Sequence, residues 1–190
     1  MPLSRFVKVG SISNLSDARF CAGMGVDMLG FKAVEGQDHY LSPKAFQEIR
    51  GWISGPAIVA EVYGLRDGDT LAAIIEHYRP DYLELGWDEL PFVGHTDLPL
   101  VLAVRPEEAV RMAGHVLQGR IAHILIPDFD GAAAVNSALP VLAGVRTTAD
   151  VDQVLSHFPE YGLALNGSAE IRPGLKNFDE LADVLERLDE

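Results

Sequence analysis

Eight short apolar runs, alternating with helical signals and separated by crossovers of about ten residues or more, predict a single-domain (β/α)8 TIM barrel over residues 1–190. Crossovers of that length demand parallel pairing, because an antiparallel neighbour would need only a tight turn. The length of 190 residues fits one core, since chains rarely split into domains below ~250 residues. The rival architecture is an open doubly wound sheet, which usually carries a glycine-rich phosphate turn after its first strand. The first turn here reads "VGSISN" and has no GxGxxG, which favours the barrel.

Each element has a local cause. "FVKVGSI" is the first strand, and "LSDARFCAGMG" the first helix, opened by Ser13 or Asn14 and closed by Gly23 or Gly25. "DMLGFKA" is the second strand. The polar loop "VEGQDHYLS" leads to the helix "PKAFQEIRGWI", with Pro43 at its first position, and "AIVAEVYG" is the third strand. In "DTLAAIIEHYR", Leu71, Ile74, Ile75 and Tyr78 recur at i, i+3, i+4 and i+7, one helix face that Pro80 terminates. "YLELGW" is the fourth strand, and "DELPFVGHTD" after it is too short and broken for more than one helical turn. "LPLVLAVR" is the fifth, followed by "PEEAVRMAGHVLQG" with proline at its start, acids in its first turn and glycine at its end. "IAHILIPDF" is the sixth, and "DGAAAVNSAL" an ambiguous connection, a short helix or a turn packed on the barrel. "PVLAGV", "TADVDQVLSHF", "YGLALNGS" and "FDELADVLERL" complete the alternation.

Apolar residues at 48% and charged residues at 23% describe a folded globular chain. Twenty-eight acidic residues against fifteen basic ones give a formal charge of −13. That charge repels a nucleic-acid backbone or an anionic membrane, so neither is an expected partner. A small anionic ligand remains compatible, because backbone N–H groups and one or two lysines make a local positive site. Cys21, the single cysteine, excludes an intrachain disulfide and suits a reducing cytoplasm. "MPLSRFVKVG" lacks the apolar segment of a signal peptide, and no apolar run approaches the ~18 residues of a membrane span, so the expected location is cytoplasmic. His77, His95, His115, His123 and His157 show no HxH or HExxH spacing, and GxSxG, Walker A and CxxC patterns are absent. No metal or cofactor is expected. Oligomeric state is not legible.

Barrel active sites lie at the C-terminal ends of the strands. The informative positions are therefore Gly10, the loop after Ala33, Tyr63, Gly86, Arg105, Asp128, Gly144 and the turn after Leu165. Glu61 and Glu84 stand inside strand patterns where an apolar residue would cost less, and a buried unpaired carboxylate is expensive or has its pKa raised. Glu84 lies two residues before Gly86 and Lys8 two before Gly10, so strand parity points both into the barrel. They are candidates for acid–base or binding roles, or for a structural Lys8–Glu84 pair.

"VKVGSISNLSDARFCAGMGVDMLGF" resembles the opening of the phosphoribosylanthranilate isomerase family, VKICGITNxEDAxxAxxxGAxxLGF, and "NGSAEIRPGLKN" lies gaplessly over the family's SSGVExxPGxKD. "HYLSP", "LELGWDE" and "PVLAGV" are similar to RYVSP, QLHGDE and PVILAGG in the same order. The resemblance implies a TIM barrel that carries out an Amadori rearrangement of phosphoribosylanthranilate in tryptophan biosynthesis. It also exposes departures. Gly10 stands at the family's general-base cysteine, His39 at the arginine that meets the anthranilate carboxylate, and Gly86 and Trp87 at the histidine and glycine of QLHG. The family's general-acid aspartate falls on Pro127 without a gap and on Asp128 with a shift of one.

The residues so implicated are Asp128, Glu84 and Glu61 for acid–base chemistry, and His39, Arg105 and Lys8 for substrate binding. Gly144, Gly167 and Ser168, at the last two strand ends, are implied as the phosphate cradle. Asp128 has the alternative of capping the next turn, and His39 that of plain exposure on a polar loop. Two functions follow: an isomerase acting on a phosphorylated sugar derivative with a rebuilt acid–base set, or an inactive paralogue that binds a phosphorylated small molecule or a partner protein.

Overall fold

The protein is described by a computed structural model covering residues 3–105, 119–129, 138–167, 170–172, 175–176 and 179–189. Eight strands close a parallel barrel in sequence order, and the eighth pairs with the first. They are β1 (Val7–Gly10), β2 (Met28–Lys32), β3 (Ala57–Glu61), β4 (Tyr82–Leu85), β5 (Leu100–Ala103), β6 (Ile121–Ile126), β7 (Val141–Gly144) and β8 (Gly162–Asn166). Helices α1 (Leu15–Gly23), α2 (Pro43–Arg50), α3 (Gly68–Tyr78), α4 (Thr148–His157) and α5 (Asp179–Asp189) follow β1, β2, β3, β7 and β8. This is the (β/α)8 architecture that the alternation predicts.

Side-chain oxygens start the helices. Asn14, Ser42, Asp67 and Thr147 each accept an N–H of the first turn of α1, α2, α3 and α4, satisfying donors that have no partner within the helix. After β4 only the single turn Leu90–Phe92 forms, as the broken sequence requires. The helix expected in "PEEAVRMAGHVLQG" and most of "DGAAAVNSAL" lie outside the described residues. Unforeseen is a short antiparallel pair, β9 (Glu170–Arg172) and β10 (Leu175–Lys176), within the "NGSAEIRPGLKN" segment.

The bottom of the barrel carries a repeated clamp. Asp27, entering β2, accepts the Val7 N–H at 2.8 Å and gives its own N–H to the Val7 carbonyl. Asp81, entering β4, does the same with Ile58. Each aspartate locks the register of two neighbouring strands.

The apolar core has two parts, as the alternation of strand residues demands. Outward-facing strand residues pack with the helices, where Phe46 of α2 is fully buried between Phe31 at 5.0 Å and Tyr78 at 4.8 Å. Inward-facing Met28, Val59, Val101, Leu125, Leu142 and Ala164 form a separate cluster inside the barrel. Cys21 is fully buried in α1, where burial and then the Asp17 carboxylate push its thiol up to about 12, so it is an inert core residue.

Phe46→Ala removes the ring that joins β2 to α3 and is expected to cost about 3–5 kcal/mol, read as a fall in the urea midpoint at unchanged m-value.

Candidate functional site

Strand parity sends Lys8, Glu61 and Glu84 inward near the C-terminal rim, above the inner apolar cluster. All three are about 97% buried. The Lys8 ammonium lies 3.1 Å from Glu61 Oε1 and 2.6 Å from Glu84 Oε2. The expected Lys8–Glu84 pair exists, therefore, but as part of a larger cluster. Ser11, at φ +54°, donates its N–H to both oxygens of Glu61, at 3.0 and 3.2 Å. Tyr63 donates its hydroxyl to Glu84 Oε1 at 2.8 Å.

This cluster explains the missing side chain at Gly10. A Cβ there would stand 2.5 Å from Glu61 Oε1 and 2.7 Å from the Lys8 ammonium. Gly30, on the strand between, leaves the gap through which Glu61 of β3 crosses β2 to reach β1. A Cβ on Gly30 would fall on the same Glu61 oxygen, and 3.1 Å from the Gly10 Cα. A second carboxylate organises the next tip: Glu89 accepts the N–H of Gly64 at 2.8 Å and of Gly86 at 3.0 Å.

One ammonium between two carboxylates leaves an excess negative charge in a buried place. Burial lifts the pKa of Glu84; Lys8 opposes the shift in part, and Glu61 adds to it. Burial also works against the charge on Lys8, but Glu84 and Glu61 together outweigh it and hold the ammonium above its usual pKa. The Tyr63 phenol is pushed well above its ordinary value, first by burial and then by Glu84 and Glu61. The cluster therefore favours the protonated form of Glu84 more than an ordinary carboxylate site does.

Two cavities open at this end of the barrel. One, of about 390 Å3, is walled by Lys8, Ser11, Lys32, Glu61, Glu84 and Asn166 among others. The other, of about 430 Å3, is walled by Gly86, Trp87, Glu89, Arg105 and Asp128 among others. Tyr63 and Pro127 belong to both walls.

Of the residues implicated by sequence, Glu61, Glu84 and Lys8 come together, while Arg105 and Asp128 share the second cavity. The Asp128 carboxylate is 86% exposed and pairs with Arg146 at 2.7 Å, so its position is the rim. His39 is exposed, at φ +62°, and lies on neither cavity wall; Gln37 represents its loop there, beside Lys32 at the end of β2. Gly144 lies against the Pro127 carbonyl. The Gly167 N–H is engaged by the Gly10 carbonyl at 2.7 Å, and those of Arg146 and Thr147 by Asp150 at 2.9 Å. Ser168 lies outside the described residues. Sequence reasoning assigned no role to Ser11, Glu89 or Tyr63, although Tyr63 sits two residues beyond Glu61 and so on the same inward face.

The described residues thus build a (β/α)8 barrel whose polar interior opens at the C-terminal strand ends, the end at which this fold places its sites. No family model matches the chain. It is 26% identical to N-(5'-phosphoribosyl)anthranilate isomerase of Geobacter metallireducens, over 95% of this chain and 97% of that protein. It is 24% identical to the enzyme of the same name from Nitrobacter winogradskyi, over 96% and 92%. A solved phosphoribosylanthranilate isomerase in complex with reduced 1-(o-carboxyphenylamino)-1-deoxyribulose 5-phosphate superposes with a TM-score of 0.75, at 18% identity, over 97% of this chain and 98% of that one. The enzyme of Pyrococcus furiosus gives 0.73 at 17% identity, over 97% and 98%. The chain is a phosphoribosylanthranilate isomerase-like protein. Among the described residues, no helix is long and apolar enough to cross a membrane.

Two measurements check the cluster. Gly30→Ala puts a methyl group on the Glu61 carboxylate and is expected to destabilise by about 1–3 kcal/mol, seen in urea unfolding. The raised pKa of Glu84 contributes stability that is fully present below the ordinary carboxylate range and is lost as pH rises through the folded value. Stability should therefore fall as pH rises from the ordinary carboxylate range through the raised folded value of Glu84, and Glu84→Gln, uncharged throughout, should flatten that fall; an unchanged slope would contradict the assignment.

Proposed function

We propose that the barrel catalyses an aldose–ketose isomerisation of the Amadori type on a phosphorylated sugar derivative, with Glu61 as base and Glu84 as acid. The observation that carries this reading is the Glu61 carboxylate lying over Gly10, in the volume that a side chain on that tip would fill. A carboxylate from β3 then stands where the family resemblance places a cysteine on β1. Such a rearrangement needs a proton delivered to the ring oxygen as the ring opens, and a proton removed from C2 as the ketose forms. Glu84, which burial disposes to hold a proton, suits the first task, and Glu61 the second. Lys8 offsets the charge of Glu61 in both states. Lys32, on the cavity wall at the end of β2, is a cation that can meet a ligand phosphate.

A second reading, a barrel that binds without turnover, is favoured by one feature. Groups at the β6, β7 and β8 ends satisfy one another: Asp128 with Arg146, Asp150 with the Arg146 and Thr147 amides, and Gly167 with Gly10. Amides so engaged do not hold a phosphate unless the loop rearranges.

The fluorescence decay of phosphoribosylanthranilate separates the two. Turnover by the wild-type protein should drop roughly 100-fold or more in both Glu61→Gln and Glu84→Gln, and by far less in Asp128→Asn. Turnover insensitive to the glutamate substitutions would remove the acid–base assignment. Absence of wild-type turnover, with melting raised by inorganic phosphate, would establish the binding reading.

A further inference from the structure

Glu84 contributes to the wall of the first cavity, but its Oε2 is buried and its Oε1 carries another side chain's hydroxyl. Its Oε2 faces the Lys8 ammonium at 2.6 Å, and its Oε1 accepts the Tyr63 hydroxyl at 2.8 Å. Tyr63 in turn stands on the walls of both cavities, the place where a ligand spanning them would pass. A hydroxyl both donates and accepts. When Glu84 is a carboxylate, Tyr63 donates to it; when Glu84 is a carboxyl group, it can donate to the Tyr63 oxygen, and the phenolic hydrogen turns to the cleft.

We propose that the Tyr63 hydroxyl is the proton conduit between the buried Lys8–Glu61–Glu84 cluster and the cleft, carrying one proton between Glu84 and a ligand oxygen. In the forward direction the Glu84 O–H bond breaks as its proton passes to the Tyr63 oxygen. The phenolic O–H bond breaks in the same step, and that proton bonds to the ligand oxygen. Glu84 ends as a carboxylate beside Lys8, the ligand oxygen is one proton richer, and the phenol is neutral before and after. A free phenolate is avoided, as the neighbouring acids require: Glu84 on β4, Glu61 on β3 and Glu89 in the loop after β4 all disfavour a negative charge on Tyr63. The cations facing the cluster are Lys8 on β1 and Lys32 on β2, of which Lys8 is engaged by both glutamates. This conduit rests on the reading of Glu84 as the acid, but it can be tested without turnover.

The test is a pH titration of the ligand-free protein carrying 13C at the glutamate carboxyl carbons, with Glu84→Gln identifying the Glu84 signal. In the wild-type protein the conduit keeps proton exchange fast, so the expected result is one line that moves continuously with pH. In Tyr63→Phe the ring remains and the hydroxyl goes. The midpoint should rise, because a donor to the charged form has been lost, and the line should split into separate protonated and deprotonated signals as exchange slows. A single moving line in Tyr63→Phe, at a raised or unchanged midpoint, would overturn the conduit, since a merely structural hydrogen bond shifts the midpoint without slowing exchange. Should Tyr63→Phe fail to fold, 3-fluorotyrosine at position 63 keeps the hydroxyl and makes it a stronger donor; the exchange broadening of the Glu84 line near its midpoint should then change, and unchanged broadening overturns the proposal. An isomerase assay that finds no turnover leaves this titration intact, so the two failures are distinguishable.

Discussion

An ammonium held between two carboxylates inside a closed barrel sets the terms for everything around it. Bringing three charges out of water costs several kcal/mol per ion, and removing one partner of such a set typically costs about 3–5 kcal/mol because the others are left uncompensated. The cluster therefore has to be complete. Its completion dictates the neighbouring sequence: Gly30 must be bare for Glu61 to cross β2, Gly10 must be bare for the carboxylate to settle, and Ser11 must turn its N–H inward, which it does at a positive φ. Three strands, β1, β3 and β4, contribute the charged groups, and β2 leaves the gap between them at Gly30.

The same device recurs one tip further round. Gly86 has no side chain, and the Glu89 carboxylate lies against it, accepting its N–H and that of Gly64. At Gly10 and Gly86, a bare strand tip is thus filled by a carboxylate from another part of the chain. In both places a carboxylate oxygen borders the volume that a tip side chain would take. A reading based on side chains at the tips alone registers a loss at both positions; the three-dimensional arrangement registers an exchange. Glu61 lies deeper than Glu89 and is paired with a cation, which gives the two carboxylates different chemistry.

How much of this was legible in the sequence follows from the range of the interactions involved. The strands and helices are local, written in apolar runs, capping residues and prolines, and among the described residues they appear where the pattern puts them; α3 begins at Gly68, one residue before the "DTLAAIIEHYR" stretch, because Asp67 is the side chain that caps it. Inward placement of Lys8 and Glu84 follows from parity, also a local property. The partner of Gly10 was not legible, because Glu61 is remote in sequence and reaches β1 only through the gap at Gly30, a fact of barrel closure and stagger. Asp128 shows the opposite case. A strand-tip position in sequence suggests an inward carboxylate, yet Arg146 draws it to the solvent side of the rim.

The excess negative charge raises the proton affinity of Glu84 in this interior. A barrel whose polar centre balanced one lysine against one glutamate would be inert, since each charge would stabilise the other and neither would have reason to titrate near neutrality. Adding the second carboxylate removes that balance. The added group cannot be neutralised by Lys8 alone, cannot be solvated at 3% exposure, and is met instead by a phenol that accepts or donates without becoming charged. Proton affinity is thereby raised at a carboxyl whose Oε1 is hydrogen-bonded to a hydroxyl standing on both cavity walls.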